Sequence, residues 1–204
     1  MRRDIIVIGA SAGGIEALKR LVSELPEDMP AALFVAMHLS HEPSFLPQIL
    51  TLAGKLPAEH PADNEPIRTG RIHVAPPNRH MLIEPGRVRL HMGPKENGYR
   101  PSIDFLFRSA ASAYGPRVAG VVLSGMRDDG VAGLWAIKSQ GGLAIVQDPG
   151  EATFRSMPLN ALTRIDVDFC DSVAAIGGLL ARIADRTQAG VGDHEKRDLK
   201  LDLP

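Results

Sequence analysis

The amino-acid sequence predicts an α/β fold: a doubly wound, mostly parallel sheet flanked by helices, with an antiparallel β-hairpin annexed. Three observations predict it. Apolar runs of strand length alternate with stretches of helical period for most of the chain. The first of these runs, Asp4-Ile-Ile-Val-Ile-Gly9, empties into a glycine-rich turn and then straight into a helical pattern. Two further β-rich runs, His80–Glu84 and Arg87–Met92, are separated only by Pro85-Gly86, the mark of a hairpin rather than of a crossover.

The elements follow in order. Ile15–Leu25 carries apolar residues near i, i+3, i+4 and i+7, so the first turn feeds a helix. Ala31–Met37 is the second strand and Ser44–Ala53 the second helix. Arg71–Ala75 is read together with the hairpin, as an interruption of the alternation. A helix over Ser102–Tyr114 opens on Pro101-Ser102 and stops at Gly115-Pro116. A strand at Arg117–Ser124, a helix at Val131–Gln140, a strand at Gly142–Gln147 and a helix at Ser172–Arg186 complete the pattern. From about Ala189 the residues are mostly charged or small and have no sustained period. One folded unit over residues 1–188 and a charged, mobile tail over 189–204 are expected.

Bulk properties narrow the function. A chain of 204 residues with 44% hydrophobic content can bury one substantial core. A net charge of −1 gives no electrostatic reason to expect nucleic acid or an anionic membrane as partner. No run approaches twenty apolar residues, and Met1-Arg2-Arg3 is not followed by a signal-peptide pattern, so no membrane insertion is expected. The single Cys170 cannot form an internal disulfide. It reads as a packing thiol in a reducing, cytoplasmic setting.

The turn Gly9-Ala-Ser-Ala-Gly-Gly14 holds a hydroxyl at a helix N-terminus, where unpaired N–H groups and the helix dipole favour negative charge. A dinucleotide fingerprint would place glycine where Ser11 stands, and would follow with an acid at the end of the second strand. That strand ends instead in Met37-His38-Leu39. No Gly-Lys-Ser/Thr follows either, so no nucleotide cofactor is expected. The Gly-x-Ser-x-Gly spacing of α/β-hydrolases is met, but there the elbow follows several strands and the histidine comes last.

A serine hydroxyl needs a base within hydrogen-bond reach, and the base needs an orienting group. The second strand delivers His38 at its carboxyl end. The run Val121-Val-Leu-Ser-Gly-Met-Arg-Asp-Asp-Gly130 ends another strand with two carboxylates. Neighbouring parallel strands lie about 4.8 Å apart, so three strand ends can bring serine, histidine and aspartate together. Read singly, each residue has a plainer use: Ser11 as a helix cap, His38 as a rim histidine, Asp128 and Asp129 as turn residues. His73 and His80 fall in or beside the β insert, and His194 in the tail. His38 and His41 are not joined by a carboxylate or cysteine cluster, so no metal is expected.

Taken together, Ile8-Gly-Ala-Ser-Ala-Gly-Gly14, His38, Ala75-Pro-Pro-Asn-Arg-His-Met81, Arg100-Pro-Ser-Ile-Asp104, Ser124-Gly-Met-Arg-Asp-Asp-Gly130 and Met157-Pro158 resemble, in collinear order from about Asp4 to Arg186, the catalytic domain of the chemotaxis protein-glutamate methylesterases, the CheB family. The resemblance implies that residues 1–188 are a methylesterase catalytic domain. It implies Ser11 as nucleophile, His38 as base and Asp129, immediately before the glycine, as orienting carboxylate. It also implies backbone oxyanion donors at Met126 and Ala12. The substrates would be glutamyl methyl esters on the cytoplasmic helices of methyl-accepting chemoreceptors, with glutamine deamidation as a second activity and no cofactor.

The chain departs from the family pattern at several positions. Ala12 stands where threonine is common, Met37 and Ser40 where glutamine and proline flank the histidine, and Arg127-Asp128 where Gly-Asn is usual. Arg127 is a cation at the expected mouth of the site, and Arg127 and Arg100 are the candidate substrate-binding residues. Family members usually carry an amino-terminal receiver domain, whereas this chain enters its first strand at Asp4. The expectation is an enzyme not gated by phosphorylation in cis, with equal rates with and without a phosphodonor. Two other readings stay open at this point: a serine hydrolase for another ester, and a catalytically silent module that binds receptor helices.

Overall fold

The computed structural model describes residues 2–38 and 44–185. Its order is β1 (Ile5–Ala10), α1 (Gly14–Ser23), β2 (Ala32–Met37), α2 (Leu46–Ala53), β3 (Ala58–Glu59), β4 (Arg71–Val74), β5 (His80–Glu84), β6 (Arg87–His91), α3 (Ile103–Tyr114), β7 (Val118–Val122), α4 (Val131–Ser139), β8 (Leu143–Gln147), α5 (Ser156–Arg164), β9 (Phe169–Asp171) and α6 (Val173–Ala184). Seven strands form one sheet in the order β3-β4-β2-β1-β7-β8-β9, and every pairing in it is parallel. The tail expected over 189–204 lies outside the described residues, as do Ser40 and His41.

A parallel strand covered on both faces must be apolar on both sides, and β1 is. Ile6, Ile8 and Ala10 point into a core closed by α1, α2 and α6. Ile5 and Val7 point into a second core closed by α3, α4, α5 and the hairpin. Each fully buried Ile or Val here contributes about 1.5–3 kcal/mol of transfer free energy.

The hairpin β5–β6 pairs antiparallel, with Glu84 opposite Arg87, and Gly86 takes the left-handed corner at φ 80°. It forms its own two-stranded sheet beside the large one. Met81, Ile83 and Val88 seat it in the second core, and it is tied to α3 by Ile83 N–H to Ser109 Oγ (3.0 Å) and Gly86 N–H to Tyr114 Oη (2.7 Å).

Arg71–Ala75 departs from the sequence reading. Arg71–Val74 is not part of the insert but a strand of the parallel sheet, paired with β2 on one side and β3 on the other. Ile72, His73 and Val74 are all fully buried, as an inner strand requires.

The chain leaves β1 for β2, β4 and β3 on one side, then returns to place β7, β8 and β9 on the other. The switch therefore lies between β1 and β7, and ligands in such sheets bind outside the carboxyl ends of the strands at that point.

Candidate active site

Ser11 is the first residue after β1 and is 8% exposed. Its N–H donates to the carbonyl of Ser124 just beyond β7 (3.0 Å), and its carbonyl accepts from Gly14 N–H (2.9 Å). Gly13, at φ 70°, supplies the left-handed residue that turns the strand into α1. Gly125 matters for space: a Cβ there would lie 3.0 Å from Ser11 Cβ and 2.6 Å from Met157 Cε. Ser124 binds the surrounding loops, its Oγ donating to the Ala12 carbonyl (2.9 Å) and accepting from Phe154 N–H (3.0 Å).

His38 is the first residue after β2, and its N–H donates to the Ala10 carbonyl at the end of β1 (3.3 Å). The imidazole spans two partners: Nδ1 lies 3.0 Å from Ser11 Oγ and Nε2 lies 2.7 Å from Asp129 Oδ2. With Nε2–H donating to the carboxylate, Nδ1 is left as the acceptor for the serine proton. The ring of Tyr99 lies flat on the imidazole, with centroids 3.5 Å apart and planes 4° from parallel.

Asp129 is 1% exposed, yet every direction around its carboxylate holds a donor. Oδ2 accepts from His38 and from Ile103 N–H (2.8 Å). Oδ1 accepts from Asn97 Nδ2 (2.9 Å), Ser102 Oγ (3.1 Å) and Asp104 N–H (3.1 Å). The carboxylate thus sits on the N-terminus of α3, where the amides and the dipole favour an anion. Burial works to raise its pKa, but the bonds from His38, Ile103, Asn97 and Asp104 outweigh burial and hold it below the ordinary carboxylate value.

A second buried carboxylate stands beside it. Asp104 Oδ1 accepts from Gly130 N–H (3.0 Å) and Gly133 N–H (2.6 Å) at the start of α4, and its Oδ2 accepts from Asn97 Nδ2 (2.8 Å). Desolvation, together with the nearby charge of Asp129, pushes Asp104 up to about 6 against the pull of its hydrogen bonds. Of the two carboxylates, Asp129, which faces the histidine, is the one that holds its charge to lower pH.

The amides of Ala12 and Met126 have no hydrogen-bond acceptor among the described residues. Both residues adjoin Ser11, Ala12 in sequence and Met126 through Gly125. Met126 is 51% exposed, and the preceding Gly125 N–H donates to the carbonyl of Phe154 (3.0 Å), itself 40% exposed. Arg127 follows at φ 68°, a non-glycine residue in the left-handed region. Its N–H donates to Ser156 Oγ (3.1 Å) and its carbonyl accepts from Asn160 Nδ2 (2.7 Å). Its guanidinium has no partner among the described residues. Asp128 points away, paired with Arg164 (3.0 Å).

Arg100, the other candidate substrate-binding residue, bridges two loops. Its guanidinium donates to Asn78 Oδ1 (2.6 and 3.1 Å) and to the carbonyls of Met92 (3.3 Å) and Gly93 (2.6 Å). These bonds tie the loop ahead of β5 to the segment between β6 and α3 and leave one Nη2 N–H uncommitted.

Cys170 is half-buried, and burial with the neighbouring Asp148 and Asp171 pushes its thiol up to about 11, a packing rather than a reactive role. Sequence reasoning missed Asn97, Tyr99 and Asp104 as parts of the site. The signal for the first two was the dipeptide Asn97-Gly98, a tight-turn mark lying just ahead of the α3 cap.

The arrangement offers an activated hydroxyl, an oriented base, a buried counter-charge and free backbone donors, the requirements for acyl transfer.

Comparison with known proteins agrees. Residues 6–180 match the family described as CheB methylesterase. A Leptospira interrogans relative, provisionally named a protein-glutamate methylesterase/protein-glutamine glutaminase, is 37% identical over 185 residues, covering 90% of this chain and 96% of that one. A Myxococcus xanthus protein-glutamate methylesterase/protein-glutamine glutaminase is 38% identical over 159 residues, 77% of this chain and 45% of that one. This chain thus spans nearly all of the Leptospira relative and about half the length of the Myxococcus one. The crystal structure of the Thermotoga maritima CheB methylesterase catalytic domain superposes with a TM-score of 0.83 at 29% identity, covering 89% of this chain and 98% of that one. Among the described residues no helix is long and apolar enough to cross a membrane. The chain belongs to the CheB methylesterase family.

Proposed function

We propose that this protein hydrolyses glutamyl methyl esters on the cytoplasmic helices of methyl-accepting chemoreceptors, releasing methanol and restoring glutamate. The observation that carries the reading is the unbroken line of hydrogen bonds from Ser11 Oγ through the His38 ring to Asp129. Ser11 Oγ attacks the ester carbonyl while His38 Nδ1 takes its proton. Asp129 holds the ring in the tautomer that leaves Nδ1 free, and neutralises the imidazolium that forms. The oxyanion meets the amides of Ala12 and Met126, and losing one such donor costs about 2.7–4 kcal/mol in related chemistry.

The imidazolium then protonates the departing methoxide and methanol leaves. Water, deprotonated by the same nitrogen, attacks the acyl-enzyme, and the proton returns to Ser11 as glutamate is released. With a glutamine side chain the leaving group is ammonia and the remaining steps are the same, so deamidation is the second activity. Arg127, whose guanidinium has no partner among the described residues, and exposed Met126 offer charge and apolar area to a helix bearing carboxylates. Residues 1–188 form the unit that does this, and the receptor substrate places it in the cytoplasm.

The test is methanol release from a methylated receptor signalling domain by the chain and by its Ser11→Ala variant. Release that needs Ser11 supports the reading. No release with Ser11 still labelled by a fluorophosphonate means a hydrolase for another ester, and neither release nor labelling means a silent binding module.

A further inference from the structure

We infer that the turn Glu96–Tyr99 is a positioning clasp for the proposed reaction, in which Tyr99 sets the plane of the His38 ring and Asn97 sets the Asp129 carboxylate. The inference rests on the methylesterase reading only for the identity of the reaction. The juxtaposition itself belongs to the structure.

Glu96 and Tyr99 exchange backbone hydrogen bonds (3.0 and 2.8 Å) around Asn97 and Gly98, both at positive φ (54° and 84°). Asn-Gly is the pair best suited to a two-residue turn of this handedness. From outside, the turn is latched to α3 by Arg108, which pairs with Glu96 at 2.7 Å. Two side chains two positions apart, Asn97 and Tyr99, thus reach two different members of the site from one turn.

Each makes a contact that the strand-end residues cannot make for themselves. Hydrogen bonds to Nδ1 and Nε2 hold the imidazole at its edges and leave its faces free to tilt. Tyr99 closes one face at 3.5 Å and nearly parallel. When the ring takes the serine proton it becomes a cation on an aromatic face, an attraction that grows with the charge of the transition state. The Tyr99 hydroxyl has no partner among the described residues, so the flat ring is the functional part.

Asn97 Nδ2 uses one N–H for Asp129 Oδ1 (2.9 Å) and the other for Asp104 Oδ2 (2.8 Å). Two carboxylates that would repel one another are joined through a shared donor. Asp129 is thereby fixed on the side that faces His38.

The experiment compares wild type, Tyr99→Phe, Tyr99→Leu and Asn97→Ala in the full chain, with a chromogenic small ester and with the labelling rate of Ser11 by a fluorophosphonate. Tyr99→Phe keeps the stack and is expected to stay within about two-fold of wild type, whereas Tyr99→Leu and Asn97→Ala lose about 30- to 100-fold in kcat with KM nearly unchanged. A second readout does not depend on activity: the far-downfield imidazole proton of the His38–Asp129 bond, followed by NMR in histidine-labelled protein. It is expected to be sharp in wild type and Tyr99→Phe and broadened by exchange in the other two. Wild-type kcat in the Leu and Ala variants with that proton still sharp, or a loss that Phe does not rescue, overturns the inference. Should Tyr99→Leu fail to fold, Arg108→Met releases the latch from outside, and a loss confined to kcat with a broadened proton is again expected. If the wild-type chain itself shows no Ser11-dependent turnover, the methylesterase reading fails while the clasp is judged on the imidazole proton alone.

Discussion

Asp104 and Asp129 cap each other's helices. Asp129, just ahead of α4, accepts from the amides of Ile103 and Asp104 at the start of α3 (2.8 and 3.1 Å). Asp104, in the first turn of α3, accepts from Gly130 and Gly133 at the start of α4 (3.0 and 2.6 Å). Two buried anions lie where two helix dipoles point, so the residue proposed to orient His38 is also part of the lock between the helices that cover the second core.

Asp129→Asn tests that double duty. The amide presents an NH2 where only acceptors are wanted, and it no longer selects the tautomer with Nδ1 free. A fall of about 10³- to 10⁴-fold in kcat is expected, the scale seen when a serine hydrolase loses its orienting carboxylate. The midpoint of thermal unfolding should fall as well, because the start of α3 loses an acceptor. Unchanged turnover would remove Asp129 from the mechanism.

The pH dependence of stability follows from Asp104. Its pKa is raised from 3.8 to about 6 in the folded state, so between those values the native protein binds more protons than the unfolded chain. Stability therefore falls as pH rises through that window. Asp129 acts oppositely: its lowered value stabilises the fold above the ordinary carboxylate range and loses that contribution as pH falls below it. Denaturant unfolding of wild type and Asp104→Asn at pH 4 and pH 7 should show their stability difference shifting by up to about 3 kcal/mol in favour of the variant at the higher pH. A difference independent of pH would contradict the assignment.

Gly125→Ala places a methyl group 3.0 Å from Ser11 Cβ and 2.6 Å from Met157 Cε. Met157 can yield and the serine turn cannot do so without displacing Oγ. A stability loss of about 1–3 kcal/mol is expected, with slower labelling of Ser11 by a fluorophosphonate. Wild-type labelling would show that the strand ends tolerate a wider gap.

Arg127→Gly separates conformation from charge. Relief of the left-handed arginine at φ 68° should raise stability by about 0.5–1 kcal/mol. Loss of the cation should raise KM for an acidic receptor segment and leave a neutral small ester unaffected. Added salt should erase the difference between wild type and variant on the acidic substrate.

The parts of the site that were legible in the sequence are those delivered by single strand ends. Ser11 announces itself by its glycine turn, His38 by ending an apolar run, and Asp129 by standing between a strand and the glycine that opens α4. Asn97, Tyr99 and Asp104 were not legible as site residues because their partners are 32, 61 and 25 positions away and meet them only in the folded protein. The hairpin was visible from Pro85-Gly86, but the pairing of Arg71–Val74 with β2 depends on a strand forty residues earlier. β3 and β9 span two and three residues, too short to show a period. In α5 only Met157, Pro158 and Ala161 are buried, a stripe too thin to read as a helix.

The order of synthesis gives the capping pair a further meaning. Ser11 and His38 leave the ribosome early, and the receptacle of donors at 97–104 follows. The carboxylate at 129 comes last, just beyond β7, the strand that pairs with β1. A nascent or partly unfolded chain therefore carries the hydroxyl and the imidazole without their counter-charge. On the proposed mechanism, the hydrogen-bonded line from Ser11 to Asp129 is complete only once Asp129 is seated on the start of α3.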